Sequence, residues 1–139
     1  MRTFVDTNIL VSAFDIADPD KQSIAQDVLD NAAPQELVVS SQVLNEFWLT
    51  VTAKLQRPLL PDRAARVVAD LVASIEVVPV DAGLVLAGID RHRADGLSLW
   101  DALVVEAARA SGCATLLTEN LNHGQDHDGV TIHNPFLDA

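Results

Sequence analysis

The chain has few of the features that would declare a function at once. One cysteine, Cys113, in 139 residues excludes an internal disulfide and suits a reducing compartment. On its own it reads as a small buried hydrophobe rather than a nucleophile. No Cys/His cluster has zinc spacing, and His123, His127 and His133 fall in a C-terminal stretch that reads as loop. Basic residues are scarce, nine against twenty acids, for a formal charge of −11. Polyanion binders normally rely on Lys and Arg, so either the substrate is not a polyanion or local cations overcome the global field; a basic partner would be attracted. No uncharged apolar run approaches the roughly 18 residues of a membrane span. Asp6 also interrupts any signal-peptide core. These absences lead to an expectation of a cytoplasmic protein with no membrane segment.

What remains is material for a folded core. Hydrophobic residues make up 49% of the chain, with no low-complexity segment and no internal repeat. The length suits one domain over residues 1–139, which would bury about two thirds of the surface its unfolded form exposes. The basic residues cluster as Lys54, Arg57, Arg63 and Arg66, and again as Arg91 and Arg93. Both groups fit solvated helix faces or phosphate contacts.

Apolar runs alternate with helical patterns. Arg2–Val5 predicts a strand and Thr7 onward a helix, with Asp6 or Thr7 as its cap. A second helix is expected from Pro19 to about Ala33, and "ELVVS" is the next strand. Ser40 or Ser41 then caps a helix through "QVLNEFWLTVTAKLQ", which Pro58 and Pro61 end. A helix over Asp62–Ser74, the strand "IEVVPV", a helix over Ala82–Arg93 and the helical "GLSLWDALVVEAARASG" follow. "ATLLT" and a final edge strand in "GVTIHNPF" complete the order. Continuous apolar strands separated by helices imply an α/β fold with a parallel sheet covered on both faces. Ligands of such folds bind beyond the carboxyl ends of the strands, where Asp6 and the segment Thr118–Asn120 both fall.

Three carboxylates have two readings each. Asp6 at a strand-to-helix junction caps the helix or serves a site. Asp101 interrupts a helix that is apolar nearly all round from Leu99 to Ala108, and a carboxylate in such a helix needs a partner. It also completes a capping box begun by Ser98, and the two roles use different oxygens. Glu46 lies roughly 140° from the centre of the stripe Val43, Leu44, Phe47, Val51 and Leu55 by the helical period, so periodicity alone leaves it in solvent. Phe47 and Trp48 suit core or interface.

Taken together, "FVDTNIL", "SSQVLNEFWLTV", "LSLWDALVVEAA" and the tail "LLTEN", "LNHGQ", "GVTIHNPF" resemble the PIN domain, a fold of metal-dependent ribonucleases, and within it toxins of the VapC type. The resemblance runs from end to end. It implies a three-layer α/β/α sandwich with a central, mainly parallel sheet and three metal-binding acids, Asp6, Glu46 and Asp101, with Thr7 and Asn8 hydrogen-bonding to them. It further implies Mg²⁺ or Mn²⁺, an RNA substrate, a cognate antitoxin with a basic segment, and a homodimer. The family commonly places another aspartate where this chain has Asn120. Glu119 is adjacent, although neighbours in an extended segment point to opposite sides, and Asp126 and Asp128 are fallbacks. Hard, oxygen-preferring ions suit such a set, because clustered carboxylates need protons or a cation to coexist.

Two rivals remain. A phosphatase of the haloacid dehalogenase type would need an acid where Asn8 stands and a late lysine, whereas the only lysines are Lys21 and Lys54. A catalytically silent PIN-like module binding RNA or protein would accommodate Asn120.

Overall fold

The computed structural model describes residues 1–137. Short apolar strands form the centre: β1 (Thr3–Val5), β2 (Leu37–Ser40), β3 (Glu76–Val78), β4 (Thr115–Leu117), β5 (Asp126–His127) and β6 (Val130–His133). They lie in the order β3-β2-β1-β4-β6-β5. All pairings are parallel except β5 with β6. Phe4 of β1 stands between Val38 and Leu116, and all three are fully buried. Burial on both faces of the central strands is what their unbroken apolar sequence requires.

The connections are helical: α1 (Thr7–Ser12), α2 (Pro19–Asp30), α3 (Ser41–Leu49), α4 (Pro61–Ser74), α5 (Ala82–Asp95) and α6 (Leu99–Ala110). From β1 the chain steps to β2 and β3 on one side, then returns past β1 to β4 and β6. Right-handed crossovers put helices from opposite directions of travel on opposite faces. Hence α1–α4 cover one face and α5–α6 the other, giving the expected α/β/α sandwich with a mainly parallel sheet. The direction of travel reverses between β1 and β4, and a crevice opens at the carboxyl ends of such neighbours.

Local signals account for most boundaries. Asp6, Asp18, Ser40, Asp81 and Ser98 each cap the helix that follows with a side-chain oxygen. Gly96 ends α5 at φ 74°, a left-handed conformation that glycine adopts without steric cost.

Three expectations need correction. The third helix is not regular to residue 56: after Leu49 it widens into one π turn, Thr50–Lys54, closed by Leu55 N–H donating to Thr50 O at 3.2 Å. Thr52 Oγ1 donates to Trp48 O at 2.6 Å, a back-bond that bends helices. The strand in "GVTIHNPF" is not the edge, because β5 folds back beside it; His127 and His133 therefore lie in strands rather than a loop. Arg91 is neither solvated nor free for phosphate. It is buried on α5, donating to Glu106 at 2.6 Å, Asp128 at 2.7 Å and Asp95 at 2.8 Å. Burial works against its charge, but Asp128 and Glu106 together hold its pKa above the ordinary value.

Phe47 is fully buried and meets Phe14 edge-on, ring centroids 5.6 Å apart; Trp48 packs against the same core. Cys113 is buried. Among the described residues no helix is long and apolar enough to cross a membrane.

Candidate active site

The crevice at the β1–β4 reversal is a cleft of about 430 Å³. β1 delivers Asp6 to its floor and α1 adds Thr7 and Asn8. α3 supplies Gln42 and Glu46, the start of α6 supplies Trp100 and Asp101, and the segment after β4 supplies Glu119 and Asn120. Asp126 and Asp128 do not line it: they lie on the β5–β6 hairpin, where Asp128 holds Arg91.

Asp6 is only 4% exposed and is ringed by neutral donors. Thr7 N–H reaches Oδ1 at 2.7 Å, Thr118 Oγ1 reaches Oδ2 at 2.8 Å, and Asn8 Nδ2 stands 3.4 Å from Oδ2. No cation pairs with it among the described residues. Burial pushes its pKa from 3.8 up to about 6; the Thr118 and Thr7 hydrogen bonds oppose this, while the charges of Asp101 and Glu46 add to it. Asp101 is shifted upward too, chiefly by burial and then by Glu46, against a hydrogen bond with Ser98. Its backbone N–H also closes the capping box on Ser98 Oγ at 3.1 Å.

Glu46 turns out of solvent towards α1. Thr7 Oγ1 donates to its Oε2 at 2.9 Å and Gln42 Nε2 to its Oε1 at 3.2 Å. Gln42 also donates to the Trp100 carbonyl at 3.3 Å, tying α3 to the start of α6. The Gln42 side-chain oxygen, Oε1, is buried with no hydrogen-bond partner among the described residues. Asn8 Oδ1 accepts from Glu119 N–H at 3.3 Å, and Thr118 Oγ1 accepts from Asn120 N–H at 3.1 Å. The Glu119 carboxylate pairs with Lys21 Nζ at 2.6 Å.

The structure thus brings Asp6, Thr7, Asn8, Glu46, Asp101, Glu119 and Asn120 to one cleft. It does not draw three acids into a ligand cage: among the described residues no group of three or more His, Cys, Asp or Glu side chains stands close enough to hold an ion. Sequence reasoning passed over Gln42, and it placed Thr118 at the carboxyl edge of the sheet without its bond to Asp6. Gln42 precedes Glu46 by one turn and so shares its helix face. Thr118 becomes Asp6's partner only once β4 pairs with β1, 112 residues along the chain.

The donor set is entirely oxygen. Asp6, Asp15, Asp18, Glu46, Asp101 and Glu119 line the cleft against the single base Lys21, which Glu119 occupies. A desolvated carboxylate without a basic partner, beside two more acids, fits a hard divalent cation.

Comparison with known proteins adds independent findings. VapC20 of Mycobacterium tuberculosis, a sarcin-ricin loop cleaving toxin, is 22% identical over 82% of this chain and 86% of its own, with a TM-score of 0.66. A toxin-antitoxin complex from Klebsiella pneumoniae matches at 19% identity over 96% and 97% of the two chains, TM-score 0.71. DNA-bound VapBC from Salmonella typhimurium matches at 17% over 97% and 98%, TM-score 0.69. Nothing among the curated proteins matches. The family described as "PIN domain" matches residues 3–125, from the first residue of β1 to the last before β5, and to that family the chain belongs.

Proposed function

We propose that this protein is a metal-dependent endoribonuclease, the toxin of a type II toxin–antitoxin pair, with Asp6, Glu46 and Asp101 as the residues that hold Mg²⁺ or Mn²⁺. The observation that carries this reading is the acidic cleft with a buried Asp6 at its floor, which no basic side chain among the described residues pairs with. When bound, the ion supplies a Lewis acid for a phosphoryl oxygen and makes attached water more acidic.

The chain's own residues do the rest. Thr118, Thr7 and Asn8 orient Asp6, leaving its charge to be met from the cleft. Thr7 and Gln42 hold Glu46 against the opposite wall, where it orients the attacking water in line with the leaving oxygen. Asp101 adds charge from the start of α6. Asn120 contributes an uncharged oxygen at the rim, while Glu119 neutralises Lys21. The structural neighbours described as a toxin–antitoxin complex and as DNA-bound VapBC support an antitoxin partner. Charge favours one that brings a basic segment into the cleft, and the resemblance supports a cytoplasmic homodimer.

The test is cleavage of RNA by purified protein with Mg²⁺ or Mn²⁺. Asp6→Asn and Asp101→Asn are each expected to abolish it while circular dichroism stays native. Equal cleavage by both variants and the wild type would assign the activity to a contaminant and remove the case for this cleft. A folded wild-type protein that binds RNA and never cuts it would favour the silent binding module, which Asn120 accommodates.

A further inference from the structure

Large apolar side chains exposed singly on a surface are ordinary. Trp100 differs from the others in where it stands. Of the described residues with large apolar side chains in solvent, Trp100 alone lines the acidic cleft. It is 61% exposed, although residues 102–108 of the same helix are all buried. Its backbone is also held: Ser98 caps this end of α6, and Gln42 Nε2 donates to the Trp100 carbonyl. An indole carried on a tethered helix start, one residue from Asp101, lines the site with most of its surface open to solvent.

Charge favours such a platform. The cleft's single basic side chain, Lys21, is engaged by Glu119 and lies 4.9 Å from the centroid of the Phe136 ring. A nucleic acid entering here finds acidic walls, and proteins that grip the phosphate backbone do so with Lys and Arg. Stacking on an aromatic face does not depend on charge, tolerates any base and contributes substantially to binding of single strands. Duplex bases keep their faces covered by their neighbours, so the contact selects unpaired nucleotides.

We propose that Trp100 forms the floor of a nucleobase subsite, stacking the base of an unpaired nucleotide beside the phosphate to be cut. The proposal rests on the nuclease reading above for the identity of the polymer. Gln42 acts through Trp100's backbone and is a positioning residue.

Two measurements test it and separate its failure from that of the nuclease reading. In a Trp48→Phe background, Trp100 is the only tryptophan. Its fluorescence should be quenched by a short single-stranded oligoribonucleotide, and much less by an abasic oligomer of equal length or by a blunt duplex. In cleavage assays on single-stranded RNA, Trp100→Ala should raise KM by about 5- to 150-fold, with kcat within about twofold, and Trp100→Phe should recover most of the loss. Wild-type KM in Trp100→Ala overturns the subsite and leaves the nuclease intact. Equal quenching by base-bearing and abasic oligomers, or none by any RNA, overturns it also. Quenching with no cleavage by the wild type supports the subsite and overturns the nuclease reading.

Discussion

Removing the charge of Asp6 should make the metal-free protein more stable at neutral pH and less stable in acid. A carboxyl whose pKa rises from 3.8 to about 6 on folding binds its proton more tightly in the folded state. That costs nothing below pH 3.8 and grows as pH rises; above about pH 6 the full penalty is present, about 3 kcal/mol. Asn has the shape of the protonated acid and escapes the penalty. It brings a cost of its own, because Thr7 N–H and the Thr118 hydroxyl both donate to Asp6. Both lone pairs of Thr118 Oγ1 are already engaged, by Asn120 N–H at 3.1 Å and Asn8 Nδ2 at 3.3 Å. One of the two donors must then face the new amide nitrogen, for about 1 kcal/mol. The net effect of Asp6→Asn in EDTA is a gain of about 2 kcal/mol at pH 8 and a loss of about 1 kcal/mol below about pH 3, crossing near pH 4.5. For a chain of 139 residues the gain corresponds to a rise in Tm of about 7 °C. Thermal melts of both proteins across this pH range provide the check. Adding Mg²⁺ should raise the wild-type Tm and leave the variant's unchanged, since only a ligand that binds the folded state stabilises it. A wild type more stable than Asp6→Asn at pH 8 in EDTA, or a gap constant with pH, would refute the account of a desolvated carboxylate awaiting a cation.

Three further outcomes are expected. Thr118→Val removes a hydrogen bond that holds the Asp6 pKa down, so the pH at which metal-free stability begins to level off should move above about 6, read from the same melts. Arg91→Met leaves Glu106 buried without its main partner and should cost about 3–5 kcal/mol by urea unfolding, while Arg93→Met, at an exposed position, should change little. Gly88→Ala would bring a methyl to 2.6 Å from Leu103 Cδ2 where α5 crosses α6, and should cost about 1–3 kcal/mol; an unchanged melt would mean that Leu103 swings clear.

The sequence disclosed whatever is decided within a few residues. The break from β1 to α1 at Asp6 and the capping box from Ser98 to Asp101 are local chemistry, and the alternation of apolar strands with helices carried the architecture. Contacts made across the sheet were hidden. Glu46 points into solvent on its own helix wheel and is drawn inward by Thr7, 39 residues away. Arg91 became a buried tie because acids from α6 and the β5–β6 hairpin surround it. The hairpin did carry a local signal that passed unread: Asp128-Gly129 is a two-residue turn with φ of 52° and 96°, the conformation that Asp-Gly favours between antiparallel strands.

The pairing of β1 with β4 has a consequence for synthesis. All three acids have left the ribosome before Thr118 does, yet Asp6 acquires its hydroxyl partner only when that late strand docks. Folding that waits for so distant a pairing is slow by nature, so the nascent polypeptide carries these acids unassembled. A fragment ending at Gly112, incubated with RNA and Mg²⁺, should be inert although every one of those acids is present.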